Sequence, residues 1–99
     1  MGRETVLLQS EEPRTAAQIA EFLHALADKV ASGSVTLRQG DDELVLNLPA
    51  SLVLEIKVEE EEKGGKKARA EGRTRLQRSI EVEIEWYEGE QAAGGIELG

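Results

Sequence analysis

No cysteine occurs among the 99 residues, which excludes disulfides, a thiol nucleophile and a thiolate metal site. Histidine occurs once, and no Gly-x-Ser-x-Gly elbow is present, so no hydrolase arrangement can be assembled. Aromatics number three, Phe22, Trp86 and Tyr87, and none falls in the basic segment 63–78 to stack on a base. No apolar run approaches the ~20 residues of a membrane-spanning helix. The start, MGRETVLLQS, lacks the basic region and long apolar stretch of a signal peptide. Val6 stands where myristoylation needs Ser or Thr. Positive charge is in deficit: Lys+Arg 12 against Asp+Glu 20 gives a net charge of −8. That balance argues against nucleic acid or an anionic membrane as the main partner. The expectation is a soluble cytoplasmic protein without an enzymatic activity, a cofactor or a metal.

What is present is periodic. Thr5 to Ser10 reads as a short strand, although Val6, Leu7 and Leu8 are consecutive. Thr15 followed by Gln18 matches a capping box, with Ser10 as a rival helix start. From Ala16 to Ala31 the apolar residues Ile19, Ala20, Leu23, Leu26, Ala27 and Val30 recur at helical spacing, widened by Phe22. Gly33 is a natural stop. The period then becomes two. Val35 and Leu37, a Gly40-Asp41-Asp42 turn, and Leu44, Leu46 and Leu48 make a hairpin. Pro49-Ala50-Ser51 breaks the run. Leu52, Leu54, Ile56 and Val58 alternate with Val53, Glu55, Lys57 and Glu59. Beyond a charged loop near 63–72, Leu76, Ile80, Val82, Ile84 and Trp86 share one parity. A half-buried strand has this pattern.

The order β-α-β-β-β-β predicts an α+β, two-layer sandwich: one amphipathic helix on a mostly antiparallel five-stranded sheet. It occupies residues 1–88 as a single domain, with 89–99 as a disordered tail. A 16-residue helix is about 24 Å long, whereas five strands make a sheet roughly 20–25 Å wide, so one helix leaves apolar sheet uncovered. The last strand, taken from Arg73 to Tyr87, would span about 50 Å. Either it bends near Arg78-Ser79 or its ends reach past the core. Uncovered apolar surface around Trp86 is then a partner surface, unless twist and curl of the sheet hide it.

Several stretches resemble one family. VLLQS, Arg14 with TAAQIAEFLHALADKVASG, VTLRQG, LVLNLPASLVLEIKVEEEE and IEVEIEWYE together resemble the amphi-Trp domain, a small prokaryotic domain. The resemblance covers most of residues 5–88. It implies a small α+β domain and brings no reaction, cofactor or assigned site. The basic stretch KGGKKARAEGRTR looks longer than that family's usual connection.

Four constellations could carry chemistry. Glu21, His24 and Asp28 share a helix face, which suits either a divalent metal or a solvated ion pair; the absence of a second histidine favours the latter. The run Glu59 to Glu62 lacks the spacing of a calcium loop. Glu81, Glu83 and Glu85 form a same-face stripe about 7 Å apart, a solvating surface rather than an acid/base couple. Segment 63–78 carries Lys63, Lys66, Lys67, Arg69, Arg73, Arg75 and Arg78 against Glu71, a net +6 that leaves −14 on the rest. Lys66, Lys67 and Arg69 could bind an anion or nucleic acid. The competing reading is intramolecular, with Glu61 pairing near Arg73 and Glu59 near Arg75 across a hairpin. Trp86 and Tyr87 close the last strand, and Trp86 is either a core anchor or an interface hot spot.

The functional expectation is a non-catalytic protein-interaction module, self-associating as a homodimer or binding another protein through apolar sheet surface. The alternative is an anion or nucleic-acid-binding accessory protein.

Overall fold

A computed structural model describes residues 2–89. The order is α1 (Ala16–Ser32), β1 (Ser34–Gln39), β2 (Asp42–Asn47), β3 (Val53–Lys63), α2 (Gly65–Ala70) and β4 (Arg75–Glu85). The chain is α+β with antiparallel pairing. Among the described residues, however, four strands form two two-stranded sheets, β1-β2 and β3-β4, in place of one five-stranded sheet. The strand expected over Thr5 to Ser10 does not form. Its three consecutive apolar residues offer no single face to bury, and instead the Gln39 side-chain amide donates to the Gln9 carbonyl (2.8 Å). No helix among the described residues is long and apolar enough to cross a membrane. The chain divides into two compact units, one up to Ala50 and one from Ser51. The break falls at Pro49-Ala50-Ser51, where proline cannot donate to a ladder. The expected C-terminal tail lies outside the described residues beyond Gly89.

The first unit is built around α1. Thr15 is its N-cap: the hydroxyl accepts from the Gln18 N–H (3.1 Å), and the Gln18 side chain accepts from the Thr15 N–H (3.0 Å). Ser10 plays no part in this start. Removing the cap by Thr15→Ala is expected to cost about 1 kcal/mol. A far-UV circular dichroism melt should then show a midpoint lower by roughly 4–8 °C. At the other end Gly33 takes φ 85 and donates to the Val30 carbonyl. Only glycine adopts that left-handed cap without steric cost. The chain turns straight into β1, and the Leu48 N–H returns to the Gly33 carbonyl (2.8 Å). β1 and β2 pair from Ser34↔Asn47 to Gln39↔Asp42. Gly40, at φ 59, is the first residue of the two-residue turn, where hairpin connections favour positive φ. Val35, 5% exposed, is the buried apolar side chain of the described residues. Leu26, Val30, Leu37, Leu44 and Leu46 are half-buried. Ile19, Phe22 and Leu23, toward the start of α1, remain exposed.

The second unit is one long hairpin. β3 and β4 pair without interruption from Val53↔Glu85 to Lys63↔Arg75, so of the two alternatives for the long last strand the bend near Arg78-Ser79 is absent. Eleven residues extend about 36 Å, shorter than anticipated because β4 begins at Arg75 and ends at Glu85. The ladder places Leu54 opposite Ile84, Ile56 opposite Val82 and Val58 opposite Ile80. The apolar parity read from the sequence is therefore the parity of one face. The expected pairs Glu61 with Arg73 and Glu59 with Arg75 are replaced by Glu61↔Gln77 and Glu59↔Ser79. The turn begins only at Gly64 and the connection runs over 64–74, so each β3 residue meets a β4 residue four positions further on than expected. Gly64 has φ 134, and a Cβ there would meet the Ala68 Cβ at 2.8 Å. The stretch expected as loop contains α2, closed by the Arg73 N–H donating to the Ala68 carbonyl (2.7 Å).

Candidate functional site

Strand alternation sorts the side chains of β3 and β4 onto two unlike faces. The even-numbered face carries Leu54, Ile56 and Val58 from β3 and Ile80, Val82 and Ile84 from β4. All but the half-buried Ile84 are more than half exposed. Single exposed apolar residues are ordinary, but a contiguous block across two strands is not. Just past β4, Trp86 is half-buried and its indole N–H donates to Glu88 Oε2 (3.0 Å). Tyr87 is 78% exposed. Both residues singled out from the sequence thus lie at the open end of this face.

The odd-numbered face is charged. Lys57 is ion-paired to Glu59 (2.6 Å) and lies opposite Glu81. The hydrogen bond and charge of Glu59, then the charges of Glu81 and Glu55, hold the Lys57 ammonium above its ordinary pKa. The direction means this pairing favours the folded chain at neutral pH and is lost as pH rises through the raised value. Beside it, Glu55, Glu83 and Glu85 bring carboxylate oxygens within 4.8 Å of one another, all exposed. Glu83 and Glu85 belong to the stripe visible in the sequence; Glu55 joins them through the ladder, which sets it opposite Glu83. Like charges directly opposed destabilise a sheet. Glu55→Lys, which makes the pair opposite in sign, is expected to stabilise the hairpin by about 0.5–1 kcal/mol. Denaturant unfolding in low salt should show the gain, and high salt should shrink it. Glu21, His24 and Asp28 do not converge in this way: among the described residues the three-carboxylate group on the hairpin is the one close enough to share an ion.

The basic tip is mostly occupied by its own acids. Arg78 reaches straight across the ladder to Glu60 (2.8 Å), Lys63 pairs with Glu61 (3.2 Å) and Arg69 on α2 with Glu62 (3.3 Å). Arg73 pairs with Glu71. Of the three residues proposed to bind an anion, Arg69 is thus engaged. Lys66 and Lys67 make no ion pair among the described residues, nor does Arg75. The Glu59 to Glu62 run alternates between the two faces, so it does not gather around a cation.

A family model for the Amphi-Trp domain matches residues 1–99, the whole chain. The chain belongs to the Amphi-Trp domain family. No curated protein and no solved structure is detectably similar to it. For this Amphi-Trp domain, membership confirms the resemblance carried by the helix, the LNLP break and the alternating strand that ends at Trp86. The feature visible only in three dimensions is the continuity of the apolar block, because it depends on which residues of β3 face which residues of β4.

Proposed function

We propose that this Amphi-Trp domain is a non-catalytic interaction module that self-associates through the even-numbered face of the β3-β4 hairpin. The observation that carries the reading is the exposure of Leu54, Ile56, Val58, Ile80 and Val82, each more than half accessible on one face. A two-stranded hairpin alone is marginally stable in water and needs a further layer on its apolar side. Covering a buried Val, Leu or Ile contributes about 1.5–3 kcal/mol, so several such residues per copy supply a substantial driving force. The cysteine-free sequence fits a reducing compartment such as the cytoplasm. Size-exclusion chromatography with light scattering tests the proposal. The expected result is a species of twice the chain mass at micromolar concentrations, with Trp86 emission shifting to the blue as the dimer forms. A strict monomer throughout overturns it.

A second reading rests on Lys66, Lys67 and Arg75, the tip cations that lack an acidic partner among the described residues. They could hold an anionic ligand such as a nucleic-acid backbone. Retardation of RNA or DNA at physiological salt, lost on neutralising Lys66 and Lys67, would support that reading; migration of free nucleic acid unchanged would end it.

A further inference from the structure

β4 has two edges, and among the described residues only one carries a partner strand. Along its far edge the N–H and C=O groups belong to no ladder, which makes that edge a template for another strand. The strand is also polarised along its length. Its first half holds Arg75 and Arg78, its second half Glu81, Glu83 and Glu85, and Ile80 is the middle one of its 11 residues. The charges at its two ends are ill-matched within the hairpin. Arg75 lies opposite Lys63 and makes no ion pair among the described residues. Glu85 lies in the carboxylate group with Glu55 and Glu83. Each end lacks the charge that the other end carries.

Turned end for end about Ile80, β4 complements itself along its whole length. Arg75 then faces Glu85 of the second copy, Leu76 faces Ile84, and Ile80 faces Ile80. The Gln77 amide and the Ser79 hydroxyl, both donors, come beside the carboxylates of Glu83 and Glu81, while Arg78 keeps its own Glu60. Ile80, at 74% the most exposed apolar side chain of the ladder, sits on the two-fold axis. Odd positions meet odd and even meet even, so both apolar sides stay on one side of the sheet. A slide of two residues one way sets Glu81 against Glu81, and a slide the other way leaves Glu85 past the end of the overlap. A parallel joint inverts one hairpin and puts its apolar side beside the other's charged side. The free edge of β3 has no such symmetry. Reversed about its middle residue, Val58, β3 sets Glu55 against Glu61 and Leu54 against Glu62, and like charges directly opposed are destabilising.

We infer that two copies join β4 edge to β4 edge, antiparallel about Ile80, into one four-stranded sheet. The occupant of the edge is thus a second copy of this chain, chosen by the charge pattern of the strand itself. The joint lies in the plane of the sheet and is made by backbone hydrogen bonds, so it is separate from the even-numbered face proposed above and additional to it. A two-fold axis normal to the sheet relates the copies, which makes the contact isologous and closed. The sheet gains the third and fourth strands that a lone hairpin lacks. Strands side by side bury less apolar area than a covered face does, so the edge is the weaker contact. It forms at higher concentration than the face-held dimer and joins two such dimers into an assembly of four copies.

Charge exchange tests the joint. Light scattering is read from about 1 μM to about 1 mM, a span that reaches weak association, on the unaltered chain, Arg75→Glu, Glu85→Arg and the variant with both exchanges. Each single exchange turns two attractive cross-strand pairs into two repulsive ones, which weakens the edge step roughly tenfold or more. The double exchange restores unlike pairs and with them the association. Neither single exchange harms the hairpin: Arg75→Glu sets a carboxylate opposite Lys63, and Glu85→Arg breaks up the carboxylate group. A role confined to the single chain would therefore raise stability and leave the mass alone. The expected result is a doubling of mass from two copies to four, lost in each single exchange and recovered in the double. A doubling from one copy to two with that same loss and recovery supports the edge and overturns the face contact. A dimer that never doubles again and persists in both single exchanges, or a doubling that they leave unchanged, overturns the edge and leaves the face contact standing. A monomer at every concentration overturns both.

Discussion

The double variant Ile56→Asp with Val82→Asp is expected to remain monomeric at every concentration at which the unaltered chain is dimeric. The two residues face each other across the ladder at the centre of the apolar block. Each is a little over half exposed in the single chain, so the burial it loses is worth about 0.8–1.7 kcal/mol. A dimer contains four such positions, so the loss is roughly 3–7 kcal/mol before any other term. Each aspartate would further have to leave water without a partner, which is costly enough that the contact opens instead. A micromolar dimer is held by about 8 kcal/mol, so the deficit removes association altogether. Light scattering reads the mass. A far-UV spectrum controls for the fold, since both side chains are more than half exposed in the single chain. A variant that still dimerises would mean that another surface holds the copies together.

The second large effect is expected inside the first unit. Val35→Ala removes two methyl groups from a side chain that is 5% exposed. Lost transfer energy and the residual cavity together cost about 1.5–3 kcal/mol. Against a total stability of about 5–15 kcal/mol that is a large fraction, and it should lower the thermal midpoint by roughly 10 °C. Thr36→Ala, one residue on and exposed, should stay within about 0.5 kcal/mol. Equal midpoints for the two variants would show that Val35 is not where the unit keeps its core.

Much of this fold could be read from local signals because those signals are local in cause. Thr15 and Gln18 cap α1 through bonds three residues apart. Gly33 ends it through its own backbone, and Gly40-Asp41 sets the β1-β2 register directly. The apolar parity of β3 and β4 also held, since a register error of an even number of residues leaves every side chain on its face. Thr5 to Ser10 misled because strand composition without a ladder partner does not make a strand. The helix α2 was missed inside a charged stretch, although KKARAE between glycines contains good helix formers. Its presence moves the turn and with it the ion pairs: Arg78 meets Glu60, where Arg73 and Arg75 were expected to meet Glu61 and Glu59. Glu55 entered the acidic group only through the ladder, which no spacing along the chain reveals. The low aromatic count proved informative in the same way, since Trp86 and Tyr87 stand together at the open end of the apolar face.

Both ladders are nested about a single turn, and this bears on how fast the chain acquires its structure. In β1-β2 the innermost pair, Gln39↔Asp42, encloses two residues; in β3-β4 the innermost pair, Lys63↔Arg75, encloses residues 64–74. Every later pair zips outward from these, with separations of at most 13 residues in β1-β2 but 12 to 32 in β3-β4, so the first ladder should form the faster. Closing the longer connection costs about 1.5 kcal/mol more than closing the short one, an entropy that α2 reduces in proportion to how early it forms. The order of events follows: β1-β2 zips first, and β3-β4 waits for its connection to close.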